Sequence, residues 1–240
     1  MVFRTIQILT FLLLFAFLTA PGQNTPDDDD GKVSVSVGTV GKGKLINGKR
    51  IPFKGKNYEY FSAFSYNVLN RAYVNGEVKK VVLQTYKECE TLCPDMKFIL
   101  MECSNKNGGK MKPHHTHQNG LSIDFGTPLI KKGKQCFPQN ATNLYGYDMD
   151  FDKDGQKDND KEVKIDFETM AKHLYILHQE STKKGLKIEK VIFKTALHEK
   201  LFSTEYGKKI KGKMYFAQKL TPLLNRIHDD HYHVDFALAK

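Results

Sequence analysis

Residues 228–236 read His-Asp-Asp-His-Tyr-His-Val-Asp-Phe, and this stretch decides the fold around it. From residue 231 onward, polar and apolar side chains alternate. They are, in order, His231, Tyr232, His233, Val234, Asp235 and Phe236. A period of two predicts a β-strand, because successive side chains of a strand point to opposite faces. One face would pack into a core, and the other would present two imidazoles.

A second group of histidines stands far upstream, in residues 114–124, His-His-Thr-His-Gln-Asn-Gly-Leu-Ser-Ile-Asp. Pro113 indicates a loop before it, and Gly120 indicates a turn after its histidines. From residue 121 the alternation returns, so the Asp124 side chain would project from the polar face of a second half-buried strand. Two strands that each present polar side chains on one face can meet around an ion.

The two clusters contain six of the nine histidines of the chain. A lone histidine is more often a surface residue than a ligand, and a metal-storage tract would be low in complexity, which these stretches are not. Together the clusters offer two imidazoles and a carboxylate, with a further imidazole to spare. Three protein ligands and an open fourth position describe a catalytic zinc site. The clustering therefore favours a metal site.

Two motifs carry a resemblance to a known family. They are His114-x-x-His117-Gln-x-Gly-Leu-x-x-Asp124 and, downstream, His228-x-x-His231-x-His233-Val. In combination they resemble the penicillin-insensitive murein endopeptidases, which belong with the lysostaphin-type enzymes and the D-alanyl-D-alanine peptidases among the zinc peptidases. The resemblance covers about residues 60–240, where the order of the expected helices and strands also matches.

The resemblance implies three zinc ligands, His117, Asp124 and His233. It implies that His231 is the catalytic histidine beside the attacking water, since a neutral imidazole can take up a proton and return it to a leaving amine. His114 and His228 match two further family histidines. We expect those two to orient ligands or to stabilise the tetrahedral intermediate.

The identity of the base has an alternative. The related D-alanyl-D-alanine peptidases use a glutamate three residues before the last histidine ligand, and here that position is Asp230. Aspartate is shorter, and in an extended strand it would face away from His233. His231 is therefore favoured over Asp230. His115 has no counterpart in the motif, and we expect it at the surface.

The sequence predicts an α+β fold, with a mostly antiparallel central sheet flanked by helices and the zinc site on one face of the sheet. Residues 62–91 have helical spacing with a break near residues 75–76, and residues 97–103 read as a compact apolar strand. Asp166 is expected to cap a helix that stops at Gly185. The family resemblance implies the same fold class.

Residues 1–22 are predicted to be a secretory signal peptide, because an apolar run follows Arg4 and ends at small residues. Residues 23–32 are predicted to be a flexible acidic linker, and residues 33–240 the zinc peptidase domain. The apolar run is short for a membrane span, and no comparable stretch follows. We expect an exported protein, periplasmic or secreted, with no stable membrane span after cleavage.

The four cysteines leave three interpretations open. They are Cys89, Cys93, Cys103 and Cys136. In an exported chain an even count favours one or two disulfides, whose connectivity the sequence does not give. Free thiols and a second zinc site are the alternatives, although the paired spacing of common zinc motifs is missing.

Residues 150–160 are similar to the start of a calcium loop, with aspartates at positions one, three, five and nine and glycine at six. Position twelve is Lys161, where the pattern requires a bidentate glutamate. An acidic surface loop is therefore slightly favoured over a calcium site. The candidate calcium ligands are Asp150, Asp152, Asp154 and Asp158.

The formal net charge of +10 suits an anionic polymer such as murein with free carboxylates. No nucleic-acid motif appears, and export argues against that partner. The resemblance implies hydrolysis of murein cross-links, at the bond from D-alanine to a diamino acid. The alternatives are a D,D-carboxypeptidase or dipeptidase acting on small D-alanyl peptides, and a metal-containing wall-binding module without activity. The sequence leaves the oligomeric state open.

Overall fold

The computed structural model describes residues 31–238, which contain short strands and six α-helices. The strands are Val35–Thr39 (β1), Lys42–Ile46 (β2), Lys49–Arg50 (β3), Tyr58–Tyr60 (β4), Tyr73–Val74 (β5), Phe98–Leu100 (β6), Ser122–Gly126 (β7), Leu129–Lys131 (β8), Lys134–Gln135 (β9), Gln156–Lys157 (β10), Asp160–Ile165 (β11), Leu186–Ile192 (β12) and His231–Leu238 (β13). The helices are Ala63–Asn67 (α1), Gly76–Leu92 (α2), Phe167–Lys183 (α3), His198–Ser203 (α4), Glu205–Ile210 (α5) and Pro222–Arg226 (α6), and 3₁₀ turns cover Ala141–Gly146 and Thr195–Leu197.

The central sheet of the described region has five strands in the order β12-β13-β7-β6-β4. Its neighbouring strands are antiparallel except for β4 and β6, which run parallel. A second antiparallel sheet has the order β10-β11-β8-β9. The α+β class and the mostly antiparallel sheet are confirmed.

Helices α2 and α3 pack against each other and cover the apolar face of the central sheet. Helix α3 begins where the sequence predicts, because the Asp166 carboxylate accepts a hydrogen bond from the Thr169 backbone N–H at 3.0 Å. Asn75 caps α2 in the same way. The helix expected before that break is shorter than predicted: the chain leaves α1 and adopts a left-handed conformation at Asn70, with φ of +55°.

The disulfides favoured by the even number of cysteines are not found, since all four cysteines are free thiols. Cys89 and Cys93 lie one helical turn apart, and the Cys93 backbone N–H donates to the Cys89 carbonyl at 2.8 Å. Neighbouring Cβ atoms on one helix face point along the helix surface, which is a poor geometry for a disulfide. Cys103 is fully buried, whereas Cys136 is partly exposed.

The predicted signal peptide and all but the last two residues of the predicted acidic linker lie outside the described residues. Between residues 31 and 238, no helix combines the length and the apolar character needed to cross a bilayer.

His173 gives the fold a sensitivity to acid. Its imidazole is fully buried between the sheet and α2, with Nδ1 2.8 Å from the Tyr232 hydroxyl, and burial lowers its pKa to about 3. The unfolded chain protonates this histidine near pH 6.5, so its contribution to stability is complete above that pH and is lost as the pH falls toward 3. At pH 5 we expect a loss of about 2 kcal/mol in unfolding free energy.

Urea unfolding at pH 8 and pH 5 measures this loss, and His173→Phe should reduce the difference between the two pH values. An unchanged difference in the variant would assign the acid sensitivity to other groups.

Candidate metal centre

Strands β7 and β13 pair in a register that sets His233 opposite Asp124. The same register sets Ile123 opposite Val234, and both are fully buried in the apolar core. The alternation therefore sends apolar side chains to one face and polar side chains to the other. Because directly paired residues of two strands have Cβ atoms about 5 Å apart, the imidazole and the carboxylate meet. His233 Nδ1 lies 2.8 Å from Asp124 Oδ1.

His117 reaches the same point from the loop before β7. Its backbone is left-handed, with φ of +62°, which is uncommon for a residue other than glycine. Its Nε2 lies 3.1 Å from His233 Nδ1 and 3.3 Å from Asp124 Oδ1, and the side chain is fully buried. We call these three atoms the ligand triangle.

The ligand triangle has the size of one face of a zinc coordination shell, in which tetrahedral ligands about 2.1 Å from the metal lie roughly 3.4 Å from one another. His233 Nε2 donates to Asp235 Oδ1 at 2.7 Å, so Nδ1 is the ring nitrogen directed at His117 and Asp124. A cation at this point would bind Nδ1 in place of a proton. Burial alone would lower the pKa of His233, but Asp235 and Asp124 raise it to about 9. The residues present therefore fit a metal ion.

Asp235 fixes the tautomer and the orientation of His233. Its Oδ1 also accepts a hydrogen bond from the Ser122 hydroxyl at 2.6 Å, and its Oδ2 forms an ion pair with Lys190 at 2.9 Å. A carboxylate behind a metal-binding histidine is the usual support for such a ligand.

Tyr147 supports the other side of the triangle. Its hydroxyl donates to Asp124 Oδ2 at 3.0 Å and accepts from the Glu102 backbone N–H at 3.2 Å, which leaves Oδ1 for the triangle. Burial alone would raise the pKa of Asp124, but His117 and the hydrogen bonds to both histidines hold it well below its usual range. Asp124 is therefore an anion with one oxygen in a fixed position.

His114 lies at the rim of the cluster. Its Nε2 hydrogen-bonds Glu102 Oε2 at 2.7 Å, and its Nδ1 is 3.7 Å from Asp124 Oδ2. Burial alone would raise the pKa of Glu102, but the hydrogen bonds from His114 and Ser65 and the charge of Arg71 hold it below its usual value.

Two sets of side chains could therefore contribute to a metal site here. His114 groups with His117 and Asp124, with one ligand atom from each within 4.8 Å of the others. The alternative with His233 is tighter, with the three ligand atoms 2.8 to 3.3 Å from one another.

His231 stands beside the triangle with one ring nitrogen held. Its Nδ1 lies 2.5 Å from Asp230 Oδ1, and Asp230 Oδ2 accepts from the Met149 backbone N–H at 3.1 Å. Burial lowers the pKa of His231 to about 4, so its imidazole is neutral at pH 7. The ring of Tyr147 packs edge-on against it, with centroids 4.9 Å apart.

His228 completes the cluster, with its ring 4.7 Å from that of His231. Its Nδ1 donates to the Leu224 carbonyl at 2.7 Å, which leaves Nε2 as an acceptor. Burial, with a smaller effect of His231, lowers its pKa to about 3. Six predicted site residues thus lie in one cluster: His114, His117, Asp124, His228, His231 and His233.

The candidate calcium ligands are not gathered into a metal-binding group within residues 31–238. Asp152 and Asp158 form ion pairs with Lys161 at 2.8 and 3.1 Å, so the lysine at position twelve binds the carboxylates that the cation would need. Asp154 pairs with Lys200 at 2.7 Å. Strands β10 and β11 occupy this segment, where the calcium motif requires a loop between two helices.

Three supporting residues were not singled out from the sequence. Asp235 stands in the alternating strand, where a carboxylate two residues after a predicted histidine ligand was a signal. Glu102 stands inside a run read as apolar, and a buried charge there indicates a partner. Tyr147 lies in an irregular segment that gives no pattern to read.

Tyr147→Phe is expected to weaken metal binding by about 10- to 100-fold, because it removes the hydrogen bond that orients Asp124. Metal affinity measured by competition with a chromogenic chelator tests this. Tyr145→Phe is the matched control, since it makes the same change two residues away, on a side chain that does not contact Asp124, and its affinity should equal that of the wild type. Equal affinities in both variants would contradict the role of Tyr147.

The family described as penicillin-insensitive murein endopeptidase has a model that matches residues 36–239. No curated protein matches the chain. The family match indicates a peptidase that acts on peptidoglycan, and hence a place of action outside the cytoplasm. The cluster of two histidines and an aspartate that could bind a metal ion lies within the matched residues.

Proposed function

Since the chain belongs to the penicillin-insensitive murein endopeptidase family, we propose that it is a zinc-dependent hydrolase of murein cross-links. The bond cleaved joins D-alanine of one stem peptide to the diamino acid of its neighbour. The observation that carries the proposal is the ligand triangle, in which two imidazole nitrogens and a carboxylate oxygen lie within 3.3 Å of one another.

The choice of zinc rests on the types of ligand atom. His117 Nε2, Asp124 Oδ1 and His233 Nδ1 are a two-histidine, one-carboxylate set, which catalytic zinc sites use with a fourth position open. Calcium and magnesium prefer shells made only of oxygen. When bound, Zn²⁺ supplies Lewis acidity, which brings the pKa of a water molecule to about 7 and polarises the scissile carbonyl.

His231 is the proposed general base. Asp230 engages its Nδ1, so the Nε2 lone pair is available to take a proton from the attacking water. The same nitrogen can then return the proton to the leaving amine, which is the diamino acid's side-chain nitrogen. Asp230 is poorly placed for this role because His231 and the Met149 backbone occupy its two oxygens. It is instead a positioning residue for the imidazole.

His228 and His114 are proposed to orient groups around the reaction. An oxyanion requires a hydrogen-bond donor, but neutral His228 uses its donor on the Leu224 carbonyl. Its Nε2 is therefore suited to accept a hydrogen bond from a substrate N–H. His114, anchored by Glu102, is suited to restrain the outer oxygen of Asp124.

Export is part of the same proposal, because murein lies outside the cytoplasmic membrane. We propose that residues 1–22 direct export and that residues 33–240 form the mature peptidase domain behind the linker of residues 23–32. Whether the destination is the periplasm or the medium depends on the host envelope.

Incubation of the purified protein with cross-linked muropeptide dimers, followed by mass spectrometry, tests the proposed reaction. We expect each dimer to yield two monomers with the gain of one water, and the fragments to place the cut at the D-alanyl to diamino acid bond. A cut that only releases terminal D-alanine would establish the carboxypeptidase alternative. If both the dimers and small D-alanyl peptides stay intact, the result would favour the wall-binding module without activity.

A further inference from the structure

Two exposed apolar residues, Leu144 and Tyr145, and the half-buried Phe61 lie beside the cluster, and we call these three the apolar lip. Leu144 is 62% exposed and Tyr145 is 41% exposed, although both are large and apolar enough to favour burial. Phe61 packs edge-on against Tyr145, with ring centroids 6.5 Å apart. None of the three carries a charge, whereas the chain as a whole has a net charge of +10.

The backbone at the lip is strained. Leu144 and Tyr145 both adopt the left-handed conformation, with φ of +48° and +58°. Side chains with a Cβ atom avoid this region, and two such residues in succession are rarer still. Strain of this kind persists only where the surroundings enforce it, and it concentrates at sites that bind or react.

Two asparagines enforce the conformation. Asn143 Oδ1 accepts from the Asn140 and Gly146 backbone N–H groups at 2.8 and 3.1 Å. The Tyr145 N–H donates to the Asn140 carbonyl at 2.7 Å. The turn thus exposes two apolar side chains to solvent and holds both residues in an unfavourable backbone conformation. Packing within the fold explains neither the exposure nor the strained backbone.

The lip is continuous with the catalytic cluster. Phe61 contacts the ring of Tyr147 edge-on at 5.3 Å, and that ring contacts His231 at 4.9 Å. The Tyr147 hydroxyl in turn binds Asp124. A peptide held with its scissile carbonyl beside the triangle and its leaving amine beside His231 would therefore extend along a surface that includes Phe61 and Tyr145.

We infer that the apolar lip is a substrate-binding surface, which contacts the alkyl groups that flank the cross-link, namely the D-alanyl methyl and the methylene chain of the diamino acid. This inference rests on the proposed function. An uncharged aliphatic and aromatic surface matches these groups. The stem-peptide carboxylates would contact basic residues elsewhere on the surface. The apolar area that the lip exposes in the free protein is removed from water when the substrate covers it.

Leu144→Gly tests the inference, because glycine removes the alkyl contact and adopts the left-handed conformation without strain. We expect the melting temperature to rise or stay the same, and KM for cross-linked dimers to rise about tenfold with kcat little changed, as loss of uniform binding requires. Leu144→Asn should behave alike, since asparagine tolerates the same backbone and lacks the alkyl group.

The matched control is Asp95→Gly, which relieves an exposed left-handed residue, with φ of +64°, in the turn after α2. Its melting temperature should change in the same direction while KM stays at the wild-type value. A KM within twofold of wild type in both Leu144 variants would overturn the inference, as would a lower melting temperature in both. Failure of the wild type itself to cleave dimers would instead contradict the proposed function.

Discussion

His117→Ala is expected to abolish both metal binding and cleavage of murein cross-links. His117 supplies one of the three atoms of the ligand triangle, and its Nε2 lies 3.1 Å from His233 Nδ1. Two remaining ligands hold zinc far less tightly than three. We expect kcat/KM to fall by at least about 10⁴-fold, since metal activation of water is lost.

The measurement combines metal analysis of the purified variant with its rate on muropeptide dimers. His115→Ala is the matched control, because it removes an exposed histidine two residues away, and it should keep full metal content and activity. Both variants are checked for an unchanged circular dichroism spectrum. A fully loaded His117→Ala protein would contradict both candidate ligand sets, since His117 belongs to each of them.

His231→Ala is expected to abolish hydrolysis while metal content stays near that of the wild type. His231 Nδ1 binds Asp230, and its ring packs against Tyr147, so the side chain lies beside the triangle without forming part of it. Loss of a general acid–base group costs about 10²- to 10⁴-fold in rate. The loss should appear in kcat, because the base acts on the water rather than in substrate binding.

Zinc content and steady-state kinetics on dimers are measured for this variant beside His178→Ala, which removes a histidine of α3 on the opposite side of the sheet. His178→Ala should match the wild type in both. Activity of His231→Ala within tenfold of the wild type would reject His231 as the base, and Asp230 would become the candidate.

The part of the site that the sequence predicts is the part that strand periodicity controls. Once β7 and β13 alternate, their pairing brings Asp124 and His233 to one face, and the antiparallel register needs no further information. His117 follows from the motif, although its left-handed backbone does not follow from any period. The six histidine and aspartate positions of the cluster could therefore be predicted from the sequence.

The supporting residues Glu102 and Tyr147 could not be predicted from the sequence, because their placement depends on tertiary contacts. Tyr147 reaches Asp124 from an irregular segment, which Asp229 and Asp230 hold by accepting hydrogen bonds from the backbone N–H groups of Phe151 and Met149. The ion pairs of the acidic segment could not be predicted for a related reason: sequence spacing shows where the aspartates stand but not that Lys161 pairs with two of them.

Zinc dependence is tested most directly by the rate at which the purified protein cleaves dimers. The rate is measured before chelation, after complete metal removal and after addition of one equivalent of Zn²⁺. We expect cleavage to stop on removal and to return with zinc, but not with Ca²⁺ or Mg²⁺, because nitrogen supplies two of the three ligands. Cleavage that continues at the original rate in protein shown to be free of metal would contradict zinc-dependent hydrolysis.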